Sequence, residues 1–352
     1  MPIINLPPLL RPNKKRKRMF IIDQHNGEDE ILIPMDMSTP STAGITLTFA
    51  SGSLYMDWDD GGGKIPFVTG IELTKTYVTP GTYVGRITGS FDQITQCIID
   101  NSKITTISNL VTGLLTNFRI NQNLYSGTID MTNANVSGTF FCYSNSALTG
   151  ITFANSGNGQ LTNCTISACN ISSLDFSNVT LAGTYNSSLN SSLSSITFAS
   201  SGNGAMTNFQ TSSCALTSLD VSVFGLSNIF RVYNNSSLTS ITFASSGNGT
   251  MNSFLLYSCD LGYVDFTVGG LNFSANNCTL RVDDNSMTAA EVNHILVDCY
   301  SLVSGESPGG DYTGRLINIA GTNAAPDGTS GGYDGLTAKT NLQGKGFTVT
   351  TS

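Results

Sequence analysis

Asp175, Asp220 and Asp265 recur at intervals of 45 residues, and carboxylates in such a row are one way to assemble the acid and base that cleave a glycosidic bond. A second recurring group, Ser-Gly-Asn-Gly at 156–159, 201–204 and 246–249, sets a hydroxyl beside backbone donors. Both lose force when counted. Catalysis needs one unique constellation, and a group written three times at one spacing reads as a turn or as a solvent-facing row. The only imidazoles are His25 and His294. No Walker loop or dinucleotide fingerprint is present. The 8 cysteines make no CxxC pattern, and Cys164, Cys169 and Cys214 fall at repeat positions where buried thiols are expected in place of zinc ligands. The expectation is a protein that is not an enzyme, with no catalytic residues, no metal and no cofactor.

The repeat itself says what positions these residues. Leu193 to Gly204 returns 45 residues later as Leu238 to Gly249, with eleven of the twelve residues identical and Ser194 exchanged for Thr239. Such a period means stacked coils, each burying its apolar edge only against its neighbours. Within the period, Leu161, Cys164, Ile166, Cys169 and Ile171 recur as Met206, Phe209, Thr211, Cys214 and Leu216, then as Met251, Phe254, Leu256, Cys259 and Leu261. This spacing is close to the leucine-rich-repeat pattern. Looser coils between them carry Asn145, Asn190 and Asn235 where the others carry Cys. Ile151, Leu174, Ile196, Leu219, Ile241 and Val264 mark a second anchor in every coil.

Alternation explains the pattern physically. Phe254 and Leu256 face inwards from one short strand, so Leu255 and Tyr257 face out. The following Asn or Cys sits where the chain turns inwards, and its side chain can satisfy backbone groups that would be costly to bury unpaired. About eight coils at roughly 4.8 Å each give a body on the order of 40 Å long. The outer side of each coil is expected to be strand and turn. A three-sheet β-helix is the rival arrangement, because Ser, Thr, Gly and Asn are abundant and no repeat contains a helix.

Flanking segments change period. Residues 31–90 read as a small β domain, with Ile45, Leu47 and Phe49 alternating and turns at Asp59 to Gly63 and Thr79 to Gly81. Asp57, Asp59 and Asp60 form an acidic turn that reads either as a calcium site or as a turn whose carboxylates cap their own backbone. In residues 284–352, Thr288 with Glu291 makes a capping box, and Val292, Ile295, Leu296 and Cys299 mark one face of a helix that ends by Gly305. His294 lies beside this stripe and is expected on the surface. Strands around Leu316 to Ile319 and Phe347 to Thr350 follow. The expected class is therefore mostly β: an immunoglobulin-like β domain (31–90), a leucine-rich-repeat-type solenoid (91–283) closed near Leu271 and Phe273, and an α+β cap (284–352).

The first 30 residues stand apart. A proline-broken apolar tip is followed by Lys14, Lys15, Arg16, Lys17 and Arg18, the reverse of the order in a secretion signal. This stretch reads either as an extended basic arm that anchors the chain to a partner or as a solvated tail. The 352 residues are 39% hydrophobic yet hold only 16 Lys+Arg against 24 Asp+Glu, net charge -8. That composition suits an exposed body of Ser, Thr, Asn and Gly and argues against a nucleic-acid binder.

Two segments carry a family resemblance. Met56 to Gly61 and Tyr77 to Val84 resemble the strand, acidic turn and tyrosine-bearing strand of the immunoglobulin-like domain of polycystic kidney disease proteins. With the Asn/Cys-laddered solenoid and the tail segments Gly335 to Lys339 and Gly346 to Thr351, residues 40–352 resemble leucine-rich-repeat surface proteins of Bacteroidota and related phage virion proteins. The bacterial members usually carry an export signal, so the resemblance implies a virion localisation and a non-enzymatic fibre, spike or appendage component for host attachment. Bacterial cell-surface adhesin and capsule depolymerase are the alternatives. The partners it implies are other virion proteins through the arm, a host surface glycan or protein, and companions in a homo- or hetero-oligomeric assembly. The residues expected to contact the host are Tyr143, Tyr233 and Tyr257 as aromatic platforms with Asp175, Asp220 and Asp265 as acceptors.

Overall fold

The computed structural model describes residues 30–100, 103–108, 110, 112–122, 125–265, 267–273, 277–303 and 314–352. The basic run from Lys14 to Arg18 lies outside the described residues, as does Gly305. The chain is mostly β and forms a β-solenoid of about eight turns followed by a small two-helix cap.

Each coil contributes one strand to a long sheet, which has 13 strands among the described residues. Its parallel part runs from Ile94–Asp100 through Thr112–Asn121, Ala134–Tyr143, Gln160–Ser167, Thr180–Asn186, Met206–Gln210, Leu226–Arg231 and Met251–Leu255. Register fixes one inward column. Cys97, Phe118, Phe140, Cys164, Tyr185, Phe209, Phe230 and Phe254 stand in successive coils, and all are buried. Their rings stack along the axis, with centroids 5.1 Å apart for Phe118 and Phe140 and 5.3 Å for Phe209 and Phe230. Parallel strands repeat at roughly 4.8 Å, so aromatic rings in one column meet face to face. From the opposite side of each coil, Phe153, Phe198 and Phe243 meet the column edge-on.

That opposite side is built from short parallel pairs, Ser126–Met131 with Ala147–Phe153, Ser173–Phe176 with Ser195–Phe198, and Ser218–Asp220 with Ser240–Thr242. It is strand and turn, as the absence of helical periodicity predicts. Ile151, Leu174, Leu219 and Val264 are buried there, whereas Ile196 and Ile241 are half-buried.

At the N-terminal end, Ser41–Phe49 continues the long sheet antiparallel to Ile94–Asp100, and Glu72–Tyr77 forms its edge. A four-stranded antiparallel sheet carries Glu30–Met37, Gly81–Gly89, Leu54–Asp57 and Lys64–Pro66 in that order. Its first strand bridges to Ile104 and Ser108 of the first coil. Residues 31–90 therefore seal the solenoid's open end and share one core with it, from Ile31 and Met56 to Ile45 and Cys97. The acidic turn is self-capped: Asp57 accepts from Asp59 N (2.9 Å), Asp60 from Gly62 N (3.0 Å), and Asp59 from Val84 N (3.0 Å). Asp60 also pairs with Lys75.

The regular coils end near Leu271 and Phe273, but the long sheet continues into the cap. Thr279–Arg281, Leu316–Ile319 and Thr348–Thr351 add three more parallel strands, and Leu280, Ile317 and Val349 extend the inward column. Helix α1 (Ala289–Val303) connects the first two of these and α2 (Gly335–Gly344) the last two. The expected capping box forms: Glu291 accepts from Thr288 N and Oγ1, both at 2.8 Å. His294 departs from its expected surface role. It is sandwiched between the rings of Tyr263 (3.8 Å) and Tyr333 (3.9 Å), which ties α1 to the last regular coil and to the loop before α2.

Candidate functional site

The outward face of the long sheet is positioned by a corner that repeats coil after coil. After the second inward residue comes one outward residue, then one in the left-handed region, then Asn or Cys. Gln122, Ser144, Ala168, Leu189, Ser213, Asn234, Ser258 and Asp284 all have φ between 53° and 63°. The N–H of each donates to the outward residue's carbonyl in the next coil, Ser144 to Ser167 and Ser213 to Tyr233 among them.

The next side chain bonds backwards. Asn145, Asn190 and Asn235 donate to Ile120 O, Ile166 O and Thr211 O at 2.9, 2.7 and 2.9 Å. Cys169, Cys214 and Cys259 send their thiols to Cys142 O, Ser187 O and Val232 O at 3.7, 3.4 and 3.7 Å. Amide and thiol thus serve the same column of carbonyls. The ladder continues into the cap with Asn285 on Leu256 O and Asn323 on Val282 O, at 2.7 and 2.8 Å. Burial pushes the Cys214 thiol above its ordinary pKa and the Cys259 thiol up to about 11, so both remain neutral core groups.

The remaining repeated polar residues are also used locally. Asn158, Asn203 and Asn248 of the Ser-Gly-Asn-Gly groups accept from Val136, Leu181 and Leu226 N at 3.1, 2.9 and 3.0 Å. Their amides return to Ala154, Ala199 and Ala244 O. Asp175, Asp220 and Asp265 accept from Ser177, Ser222 and Thr267 N at 2.9, 2.9 and 2.8 Å, and Asp130 does the same for Thr132. One oxygen of each carboxylate is committed to its own turn.

The expected contact residues are divided between two surfaces. Asp175 and Asp220 belong to the short two-stranded pairs, whereas Tyr143, Tyr233 and Tyr257 belong to the outward face of the long sheet. Only two of the tyrosines meet. Tyr233 and Tyr257 stack with centroids 4.6 Å apart and planes 6° from parallel. Ser167, Ser188 and Ser212 occupy the same column between Tyr143 and Tyr233. Beyond Tyr257, the Arg281 guanidinium lies 3.9 Å from its ring centroid and is held by Asp283. Sheet order places Tyr257 between Tyr233 and Arg281, so its two ring faces are covered. Burial, then the neighbouring Tyr233, holds the Tyr257 hydroxyl above its ordinary pKa. Arg281 and Asp283 escape a sequence reading because they lie beyond the apparent end of the repeat; register sets Arg281 opposite Leu255 and Asp283 level with Tyr257. The arrangement is suited to apolar and cation-assisted contact with a flat partner, not to proton transfer. No protein-family model, no curated protein and no solved structure matches this chain.

Proposed function

We propose that the protein is a non-enzymatic, exposed component of a phage virion, a fibre, spike or other appendage that contributes to host attachment. In this reading the coils are of leucine-rich-repeat type, residues 31–90 are an immunoglobulin-like cap, and the arm with Lys14 to Arg18 joins the chain to other virion proteins in an oligomeric assembly. The observation that carries it is the division of labour among repeated side chains. The buried Asn and Cys and the exposed Asp rows hold backbone turns, while Tyr233, Tyr257 and Arg281 stand together on an outward face with no role in the core. A stiff rod with one aromatic and basic cluster is the form of a spacer that presents a contact surface.

Two experiments test the proposal. In fractionation of infected cultures, the protein is expected in purified particles, and deletion of residues 1–30 should leave a folded body that no longer enters them. Recovery in the bacterial envelope instead would identify an adhesin, and release of reducing ends from host polysaccharide a depolymerase. In a host-cell binding assay, the Tyr233→Ala, Tyr257→Ala double variant is expected to bind at least tenfold more weakly with its thermal midpoint little changed. Unchanged binding removes this patch from attachment.

A further inference from the structure

We propose that a hollow at the N-terminal end of the long sheet is a subsite for a neutral saccharide unit, an inference that rests on the attachment reading and gives it a ligand class. The hollow is an open, largely polar depression of ≈ 450 Å³. It lies on the outward face where Glu72–Tyr77, Ser41–Phe49 and Ile94–Asp100 run side by side. Thr46 stands opposite Glu72 on one side and Ile98 on the other, and Gly44 stands opposite Thr74.

Gly44 makes the hollow. Its φ is not positive, so the backbone does not call for glycine. The absent side chain leaves open space instead. A Cβ on Gly44 would collide with Glu72 Oε1, so the missing side chain lets the Glu72 carboxylate lie across the neighbouring strand. An interior glycine of this kind marks close approach of another group.

The two carboxylates at the hollow are held differently. Asp100 is fixed by Arg119 Nε at 3.0 Å and Asn121 Nδ2 at 2.8 Å. Glu72 has no side-chain hydrogen bond or ion pair with any described residue. The site therefore offers one fixed acceptor, one free acceptor, and the hydroxyls of Thr46 and Thr74, which both donate and accept. Ile98 adds an apolar contact. A polyol matches this set, because its hydroxyls donate charge-assisted bonds to carboxylates and its C–H face packs on Ile98. A metal ion does not. Calcium takes 6–8 oxygens, and no group of three or more His, Cys, Asp or Glu among the described residues is arranged to hold one. The acids and the net charge of -8 disfavour an anionic sugar.

Saturation-transfer NMR on the full chain tests this with methyl glycosides of glucose, galactose, mannose and N-acetylgalactosamine as probes and glucuronate as the acidic control. At least one neutral glycoside should bind saturably and glucuronate should not. Glu72→Ala and Thr74→Val, both at exposed positions, should weaken that binding at least tenfold without moving the thermal midpoint. The inference is overturned if no neutral glycoside saturates, if Glu72→Ala binds as the unaltered chain does, or if binding requires added calcium. The titration reads the isolated sugar, and particle fractionation reads location, so the two proposals fail separately.

Discussion

Leu189 holds a backbone conformation that its own side chain opposes. Its φ is 63° and it is 60% exposed, yet the left-handed region costs an ordinary L-residue about 1–2 kcal/mol. The corner imposes it, because the Leu189 N–H must reach Ser212 O at 2.8 Å. Asparagine tolerates this region better, so Leu189→Asn is expected to stabilise the protein by about 0.5–1 kcal/mol, seen as a raised thermal midpoint; a lowered one would mean that apolar contacts of Leu189 outweigh the strain. A second expectation concerns pH. Burial raises the Cys259 thiol from 9.0 to about 11, so the unfolded chain ionises first as pH rises. The stability contributed is complete below pH 9 and is lost towards pH 11, on the order of 2–3 kcal/mol. Urea titrations across that range should show a shallower loss in Cys259→Ala than in the unaltered chain, and parallel losses would contradict the assignment. Asn and Cys at this corner were legible in the sequence because their chemistry is the reason for their place. The left-handed residue before them was not, since Gln122, Ala168 and Leu189 share no side-chain type and receive their conformation from neighbouring coils.

At the scale of elements, the capping box does two jobs. Glu291 takes both donors of Thr288 and also Tyr263 N at 3.3 Å, so the start of α1 is fastened to the last regular coil. Thr288→Ala is expected to lose about 1 kcal/mol, and amide hydrogen exchange should show α1 opening before the coils. Uniform exchange loss across the chain would mean that the cap and solenoid open as one unit. The box and the apolar face of α1 could be read from sequence, but α2 could not. Only Gly335, Ala338 and Leu342 are buried in it, too short a stripe to show helical periodicity. Its start is fixed by Asp334 accepting from Thr337 N at 2.9 Å. The strands at 279–281, 316–319 and 348–351 lost their repeat signal for a related reason: helices and loops replace the short second strand, so spacing lengthens while the inward column persists. The hollow around Gly44 carries no sequence signature either, because it arises from three strands that are distant in the chain.

The whole molecule is an array whose natural unit is two coils. Asn corners alternate with Cys corners from Asn145 to Cys259, and Gly138, Gly183 and Asn228 place a left-handed residue in every second coil. Deleting residues 206–250 would join Ala205 to Met251 in the register that Ala205 and Met206 now have. Such a shortened chain is expected to unfold cooperatively with a thermal midpoint within a few degrees of the full one, whereas excision of a single coil should not, because it sets unlike corners against each other. Equal tolerance of both deletions in thermal denaturation would show that the coils are interchangeable. The inter-coil hydrogen bonds have one further property: they lie along the long axis of the rod. A pull between its two ends therefore draws each bond open along its own length instead of shearing many at once. Under load the rod would yield one coil at a time from an end, each release paying out chain at roughly 3.3 Å per residue, and would behave as an extensible tether and not as a brittle strut.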